Sequence, residues 1–510
     1  MLKLKYSAIL LSIGAVFPTA AMAAEQTVTQ LPDGASSVSA TVTDSTARFF
    51  PQIDDSIKLQ NVSPWNPKRN PMVHQMFVTP ARVPSIESST VATIGPKFPG
   101  IGFTGYIPPD PQIAVGYNHV VQVVNSDIAF FDKAGNKQFQ QHLDNTAFFA
   151  GVTQTNFVFD PRVIFNSYIN RFIVIAVEER DSPQNSGILI AVSDDGDPNG
   201  NWTKYRVEAK AAKNAVNYWF DYPTVGFNKD GVVICGNQFS FGNNSFGFAR
   251  SYVFKTSELK AGGVIHYSFF DHPTEFTMQP AKCPENVSNI IYGSSANDKT
   301  TQFSFYSWRN LTTTPVFAKI TVAIPSYMYY GGNAGSVGGA QLDPLSDRMM
   351  DTFYRSGSLL ISHTVRVSLA DNRSMIRWYE YRMQNWPTQG GIARKQFGNI
   401  NLAAPNYLCM PAIAMNGKGA ISILICRTSP TRAADLYAAS RKAADTLNSM
   451  GPLKFLGSSN GQYTDASFHR WGDYFGCCVD PSDPAKFWGV GELIGPGGIW
   501  KTEIGNWSVN

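Results

Sequence analysis

Acidic residues recur at corresponding points of a repeated pattern in this chain. Asp110, Asp160 and Asp221 each stand at the start of an apolar, β-branched run and are followed within two residues by a proline. Asp473 precedes a similar run, which ends at Val479. Carboxylates gathered in one place could provide hard oxygen ligands for calcium, bind sugar hydroxyls, or serve as the acid and the base or nucleophile of a glycoside hydrolase.

Cationic and aromatic side chains accompany these carboxylates. The candidate ligand-binding residues are therefore Asp110, Asp160, Arg162, Asp221, His469, Arg470, Asp473 and Tyr474. The alternative is a structural role, which is favoured for each residue taken alone. Asp before Pro is a common turn device, and Asp–Arg pairs between neighbouring sheets can hold a ring of sheets closed.

Seven β-hairpins would position these residues. The first spans residues 110–125, and turn centres fall near residues 117, 168, 229, 286, 345, 417 and 482. Such intervals suit propeller blades of four strands joined by long surface loops, so we predict an all-β, seven-bladed β-propeller. The first strand of each blade would line a central channel. The residues at the starts of these strands, which also include Gln279, Gln341 and Met410, would then meet at one mouth of the channel.

Two patterns compete with this prediction. A β-sandwich, or two side by side, would also give many short strands, but it predicts no repeated Pro-x-Val or Pro-x-Ile at strand starts. Residues 432–447 have a helix-favouring composition, although their place in the sixth repeat requires a third strand. We expect a strand over residues 436–441, with a short helical turn after it.

Several motifs resemble those of exported bacterial β-propeller proteins, some of which are likened to sialidases. They are Asp-Pro-x-Ile-Ala-Val-Gly at 110–116, Asp-Pro-Arg-Val at 160–163, Asp-Pro-Asn-Gly-Asn-Trp at 197–202, Asp-Tyr-Pro at 221–223 and Arg-Trp-Gly-Asp-Tyr at 470–474. The resemblance covers about residues 105–507 and implies a seven-bladed propeller, not a reaction. Residues 193–196 before Trp202 also resemble a sialidase Asp-box with altered spacing, a turn element that lies outside the catalytic centre.

Composition and motif searches exclude several function classes. The formal charge of the chain is +4, and Lys3 and Lys5 account for two of these charges. Because the net charge is small and the sequence has no basic stripe, nucleic-acid binding is not expected. H-E-x-x-H and Walker sequences are absent from the sequence, and the G-x-S-x-G match at residues 457–461 lacks the strand and helix of a nucleophile elbow. We expect no cofactor, with calcium as the one ion that the carboxylates would suit.

The N-terminus has the three parts of a secretory signal in order. Lys3 and Lys5 form a basic region, residues 6–16 form a short apolar region, and Ala21-Met22-Ala23 is a small-residue cleavage site. We predict a signal peptide over residues 1–23, an extended or partly disordered Pro-rich arm over 24–104, and the propeller over 105–510. The protein should then be secreted or periplasmic, without a membrane span.

One cysteine pair can be argued from geometry. Cys409 and Cys426 are equidistant from a turn centred between Gly417 and Lys418, so they would face each other across a hairpin at a separation that a disulfide tolerates. The alternative is two buried free cysteines. Cys235 with Cys283 is a weaker candidate pair.

Three hypotheses about function follow from this pattern. The first is a monomeric binding or interaction module that takes a glycan or protein ligand at the channel mouth, because the scaffold is well defined and catalytic motifs are lacking. The second is a sialidase-like glycoside hydrolase, which needs two acidic groups, or an acid with a tyrosine, facing each other across the mouth. A purely structural role at the cell surface is the third.

Overall fold

A computed structural model of the protein describes residues 88–155, 157–285, 288–297, 299–464 and 470–510. It also places three short strands, β1 (Glu25–Thr27), β2 (Ser37–Thr41) and β3 (Gln60–Asn61). The predicted signal peptide and most of the predicted arm lie outside the described residues. In the part of the chain that is described, every helix is too short or too polar to cross a membrane.

The chain forms seven antiparallel sheets that are arranged as the blades of a β-propeller, which confirms the predicted fold. Strands β4 (Thr93–Gly102) and β5 (Tyr106–Ile107) come before the first blade. The first blade comprises β6 (Gln112–Val115), β7 (His119–Val124), β8 (Asp127–Asp132) and β9 (Lys137–His142), and the second comprises β10 (Val158–Asn166), β11 (Arg171–Asp181), β12 (Gln184–Ser193) and β13 (Asn201–Glu208). The third comprises β14 (Ala211–Lys213), β15 (Val216–Phe227), β16 (Gly231–Ser240), β17 (Phe246–Lys255) and β18 (Tyr267–His272), with helix α1 (Thr256–Ala261) between β17 and β18. The fourth comprises β19 (Gln279–Pro280), β20 (Ile291–Ser295), β21 (Gln302–Arg309) and β22 (Val316–Ala323).

The remaining blades follow a short hairpin of β23 (Ala334–Gly335) and β24 (Gln341–Leu342), with a 3₁₀ turn at Val337–Gly339 between the two strands. The fifth blade comprises β25 (Asp351–Arg355), β26 (Ser358–Arg366), β27 (Ser374–Arg382) and β28 (Ala393–Ile400). The sixth comprises β29 (Tyr407–Met415), β30 (Ile421–Ser429), β31 (Arg432–Arg441) and β32 (Lys454–Gly457). The seventh comprises β33 (Gly476–Val479), β34 (Lys486–Ile494) and β35 (Trp500–Ser508), with a second 3₁₀ turn at Pro496–Gly498. Strands β1 and β2 add to the outer edges of the fourth and second blades.

Packing of blade against blade explains the hydrophobic runs of the inner strands. Both faces of an inner strand are covered, so β10 and β16 are buried along their whole length instead of alternating with solvent. Aromatic side chains fill the space between the sheets, and Trp202, Trp219, Trp308, Trp378, Trp471, Trp488, Trp500 and Trp507 are among the largest fully buried groups. These rings therefore stabilise the ring of blades, and they are not exposed surfaces for stacking on a sugar.

The ring is closed by a strand from the N-terminal side of the first blade. Strand β4 pairs antiparallel with β35, with Phe98 opposite Ile504, and so becomes the outer strand of the seventh blade. The predicted boundary between residues 104 and 105 therefore falls after a strand of the propeller. The closure also brings the first and seventh blades side by side, as expected, because Gln112 Nε2 donates to the carbonyl oxygen of Phe475 at 2.7 Å.

The first hairpin of the fifth blade lies later in the chain than the repeat predicts. Its first hairpin joins β25 to β26 through Ser356 and Gly357, whose φ angles of 51° and 79° suit a tight two-residue turn, so the predicted turn near residue 345 was wrong. Gln341 lies instead in the short hairpin with β23 and is exposed. In the sixth blade β31 forms over Arg432–Arg441 in spite of its helical composition, which confirms the predicted strand.

Candidate functional site

The innermost strands of the blades run parallel to one another around the axis, so their starts lie at one end of the channel and their ends at the other. Isolated parallel bridges join Phe227 to Lys282 and Lys282 to Phe353, which shows this arrangement in three successive blades. We call the polar residues at the strand starts the axial charge cluster: Asp110, Asp160, Arg162, Asp221, Tyr222, Asp343, Arg348, Arg470, Asp473 and Tyr474.

An unusual backbone conformation precedes or interrupts several innermost strands. Asp110, Asp160, Tyr222 and Met410 each have φ between 48° and 53°, and each precedes a proline. The pairing register shifts at three of these points, from Phe159 to Arg162, from Asp221 to Thr224 and from Cys409 to Ala412, so each is a β-bulge. Bulges redirect side chains and are common beside functional sites.

The equivalent position of the third blade is Tyr222 rather than Asp221. Tyr222 has the positive φ and precedes Pro223, as Asp110 precedes Pro111. The Tyr222 hydroxyl donates to the carbonyl oxygen of Asp473 at 3.1 Å and so links the third blade to the seventh across the axis. Asp221 is displaced by one residue, yet it stays buried within the cluster.

The carboxylate of Asp110 is fully engaged at the seam between the first and seventh blades. Asn125 Nδ2 donates to Asp110 Oδ2 at 2.7 Å, and the backbone N–H of Asp473 donates to Asp110 Oδ1. Asn125 also accepts through Oδ1 from the backbone N–H of Asp160 at 2.8 Å. Asn125, which the sequence analysis did not select, therefore joins the strand starts of the first two blades.

Two arginines organise the centre of the cluster. Arg470 Nη2 forms an ion pair of 2.6 Å with Asp473 Oδ1. The guanidinium carbon of Arg162 lies 3.1 Å from the centroid of the Tyr474 ring, and Arg162 Nε donates to the carbonyl oxygen of Pro223 at 2.7 Å. The Tyr474 hydroxyl in turn donates to the carbonyl oxygen of Pro161 at 3.0 Å. The axis is filled by stacked and paired side chains at this level.

Burial and like charge shift the pKa values of the carboxyl groups upward. Burial, followed by the charges of Asp473 and Asp160, raises the pKa of Asp110, and burial followed by Asp221 and Asp473 raises that of Asp160. Burial raises the pKa of Asp221 to about 7, with the charge of Asp473 as the second cause. Burial alone would lower the pKa of Arg470, but the surrounding carboxylates raise it. Carboxyls of the cluster therefore hold their protons to a higher pH than they would in water.

Hydrogen-bonding capacity in the cluster is not fully used. Within the described residues, Arg162 Nη2, Arg470 Nε and Nη1, and Asp221 Oδ1 are buried and have no hydrogen-bond partner. Each of these residues is at most 5% exposed. Unpaired buried polar atoms are uncommon in folded proteins, and they often mark a place that water or a ligand occupies.

The structure thus brings together seven of the eight candidate residues: Asp110, Asp160, Arg162, Asp221, Arg470, Asp473 and Tyr474. His469 lies outside the described residues. Tyr222, Asp343 and Arg348 were missed, and only Tyr222 carried a signal, its place before a proline. Gln279 and Met410 are buried packing residues. In the described part of the chain, no three His, Cys, Asp or Glu side chains are arranged to hold a metal, so calcium binding stays a prediction.

The opposite end of the channel holds a cavity of about 260 Å³, which we call the exit cavity. Its walls are formed by the ends of the innermost strands, with the apolar side chains Ile113, Val115, Val163, Phe165, Phe227, Phe353 and Val479 among them. Lys282, Arg355, Asp480 and Cys478 also line it. No motif in the sequence points to these residues.

The predicted cysteine pair has the expected register. Cys409 lies directly opposite Cys426 in the β29–β30 hairpin, and both are buried. Both are free thiols in the structure, as are Cys235 and Cys283. The cross-strand geometry is thus confirmed, and the disulfide stays a prediction.

The Asp-box-like segment is a surface turn between β12 and β13. Ser193 Oγ accepts from the backbone N–H of Phe172 at 2.9 Å and donates to the carbonyl oxygen of Asp195 at 2.6 Å. The buried Trp202 donates through Nε1 to the carbonyl oxygen of Pro198 at 2.8 Å. The segment therefore shapes a connection of the second blade, away from the axial charge cluster.

Comparison with solved structures finds distant proteins that contain β-propellers. Trypanosoma rangeli sialidase in complex with sialic acid matches over 77% of this chain and 59% of its own, at 10% identity and a TM-score of 0.33. The β-propeller domain of the Trilobed protease from Pyrococcus furiosus matches over 80% and 94%, at 10% identity and a TM-score of 0.38. The Dos1 propeller matches over 82% and 95%, at 9% identity and a TM-score of 0.37.

At TM-scores of 0.33, 0.38 and 0.37, these similarities carry no argument about the function of this chain. The chain spans about 59% of the length of the sialidase that it matches. No model of a known protein family matches the chain, and no curated protein matches it either. The fold and the site together define a seven-bladed β-propeller with a buried charge cluster at one end of its channel and an apolar cavity at the other.

Proposed function

We propose that this protein is an exported binding module that takes a glycan or protein ligand at the channel end formed by the axial charge cluster. The observation that carries the proposal is the unused hydrogen-bonding capacity of Arg162, Asp221 and Arg470. The free groups include both donors and an acceptor. Sugar hydroxyls donate and accept at once, so they match this mixture better than a group that can only accept. The signal-like N-terminus supports export.

Hydrolysis of a glycoside is less well supported. A hydrolase of this kind needs an acidic pair, or an acid and a tyrosine, that a substrate can reach. Among the described residues, Asp110, Asp160, Asp221 and Asp473 are only 1–6% exposed, and both oxygens of Asp110 are engaged by protein groups. Among the described residues, the cluster therefore lacks the exposed acidic pair that this chemistry requires.

The test is a glycan-array and pull-down screen with the purified protein at high concentration. We expect binding to a restricted set of glycans, and loss of that binding in Asp221→Asn, which preserves the shape of the side chain. The matched control is Asp230→Asn, in the first hairpin of the same blade, where the carboxylate pairs with Lys229 at 2.7 Å on the surface. Both variants must retain the circular dichroism spectrum of the wild type.

Three outcomes would overturn the proposal. The first is that neither glycans nor proteins are retained by the correctly folded protein. The second is equal binding by wild type, Asp221→Asn and an Arg162→Lys variant, because the cluster would then not contact the ligand. The third is release of sialic acid from a fluorogenic sialoside, because the function would then be hydrolysis of a glycoside and not binding alone.

A further inference from the structure

The exit cavity has the size and lining of a site for a small organic molecule. Its volume of about 260 Å³ is below the range of drug-sized sites, but a cavity of roughly 150 Å³ is already sufficient for benzene. The aromatic rings of Phe165, Phe227 and Phe353 supply flat apolar walls from three different blades. The cavity would therefore accommodate a single ring.

The polar groups of the cavity discriminate between charges. Asp480 is the carboxylate in the lining, and its oxygens are engaged: Lys133 Nζ and the backbone N–H of Ser482 donate to Oδ1 at 2.7 and 2.8 Å, and Trp488 Nε1 donates to Oδ2 at 2.9 Å. It has little capacity left for a cationic ligand. The two remaining charged groups, Lys282 and Arg355, are both cations.

Lys282 lies where the cavity meets the interior of the channel. Its Nζ contacts Asp351 Oδ1 at 2.8 Å and Oδ2 at 3.0 Å, and the carbonyl oxygen of Cys477 only at 3.4 Å. An ammonium group has three protons to donate, and the third is weakly held here. The Lys282 side chain is 17% exposed, so a ligand in the cavity can reach it.

The carboxylates that pair with Lys282 and Arg355 lie outside the lining of the cavity. Asp351 lies in the fields of both Lys282 and Arg162, and both cations lower its pKa, although burial raises the pKa overall. Among the described residues, Asp351 forms its ion pair with Lys282 alone. Arg355, at the rim, pairs with Glu285 at 2.7 Å and donates through Nη1 to the carbonyl oxygen of Met415 at 2.7 Å. An incoming anion could accept the weakly held third proton of Lys282, whereas an incoming cation would meet two cations and no free carboxylate in the lining.

We propose that the exit cavity binds a small carboxylate whose body is a single aromatic or alicyclic ring, with the carboxylate on Lys282 and the ring between the phenylalanines. This site goes beyond the proposed function, since it lies at the other end of the channel and uses different residues. Cys478 lines the same cavity and is partly exposed, so it provides a chemical reporter of occupancy.

The probe is benzoate, compared with benzyl alcohol and benzylamine, which have similar bodies and different charges. Calorimetric titration of the purified protein should show that benzoate binds at least tenfold more tightly than benzyl alcohol and that benzylamine does not bind. Lys282→Met should weaken benzoate binding at least tenfold and leave benzyl alcohol unchanged. The control is Lys418→Met, an exposed lysine whose Nζ contacts Asn510 at 3.0 Å and which does not line the cavity.

A second measurement keeps the proposal testable if Lys282→Met does not fold. Bound benzoate should slow the alkylation of Cys478 in the wild-type protein, and Val479→Trp, which fills the cavity, should abolish both binding and protection. Three results would overturn the proposal: benzylamine binding better than benzoate, benzoate affinity that is equal in wild type and Lys282→Met, or no binding and no Cys478 protection at millimolar benzoate. None of these readouts depends on the glycan screen, so the two proposals can fail separately.

Discussion

The two ends of the channel are built from the same seven strands and yet differ in almost every physical property. At the strand starts, carboxylates and guanidiniums are buried and largely engaged by each other and by backbone groups. At the strand ends, apolar side chains surround an open cavity of about 260 Å³ with two cations in its lining. In this molecule, buried charges meet at one end of the channel, and an apolar cavity opens at the other.

The largest expected effect comes from removing a buried charge at the strand starts. Arg470→Met leaves the buried carboxylate of Asp473 without its partner, so we expect a loss of about 3–5 kcal/mol in the free energy of unfolding. The matched control is Arg432→Met, which also removes an arginine from a pair with an aspartate three residues later. The Arg432 side chain is 44% exposed, so its loss should cost less than about 1 kcal/mol. Denaturant unfolding measures both, and similar small losses in the two variants would contradict the contrast.

The second prediction concerns the pH dependence of stability. Because the pKa of Asp221 is raised to about 7 in the folded protein, the folded state holds a proton that the unfolded chain releases near pH 4. The wild type should therefore lose stability relative to Asp221→Asn as the pH rises from about 4 to about 7, by on the order of a few kcal/mol, with little further change above that range. Thermal melts of both proteins at a series of pH values check the sign. A constant difference would show that Asp221 titrates normally.

A smaller effect is expected from a single hydroxyl. Tyr474→Phe removes the bond from the tyrosine hydroxyl to the carbonyl oxygen of Pro161, which should cost about 1 kcal/mol of unfolding free energy. At the other end, Tyr117 is 46% exposed at the rim of the exit cavity, so Tyr117→Phe should change the stability by less than about 0.5 kcal/mol. Equal effects of the two substitutions would remove this distinction between the ends.

The smallest effect is a difference in thiol labelling. Cys478 is partly exposed in the exit cavity, although burial raises its pKa to about 12, whereas Cys409 and Cys426 are fully buried beside the strand starts. A small alkylating reagent at pH 9 should modify Cys478 slowly and leave the other two untouched in the folded protein. Peptide mapping identifies the site, and faster labelling of Cys409 would contradict it. The same digest without reduction shows whether Cys409 and Cys426 form the predicted disulfide.

The repeated pattern in the sequence predicted the blades, but the sequence did not predict what lies where separate blades meet. Turn residues and β-branched runs predicted the seven blades, because each hairpin is set by local chemistry. The fifth was misplaced because the glycine-rich segment around residue 335 also supports a short hairpin, and the true turn is only Ser356-Gly357. The exit cavity is lined by ordinary apolar residues from several blades. Such a space depends on how blades pack, and no local motif indicates it.

For the candidate residues at the strand starts, the sequence predicted that they lie together but not which groups they contact. Their convergence followed from the repeat, and the structure confirms it for seven of them. Their partners did not follow: Asn125 accepts from the backbone N–H of Asp160 only because the first two blades adjoin, and Arg348 approaches the Tyr222 ring at 4.8 Å only because the third and fifth blades face the same axis. Long-range packing decides which charges are paired and which stay free.

The closure of the ring by β4 and β35 has a consequence for how the chain folds. The two strands pair through residues such as Phe98 and Ile504, which are separated by nearly the whole propeller in sequence. The final blade cannot be completed until all the others are present, so its assembly should be the late, slow step that contacts between distant residues impose. Until then β4 and β35 both carry unpaired edges that can associate with other chains. A newly made molecule would thus be most vulnerable to aggregation just before the ring closes.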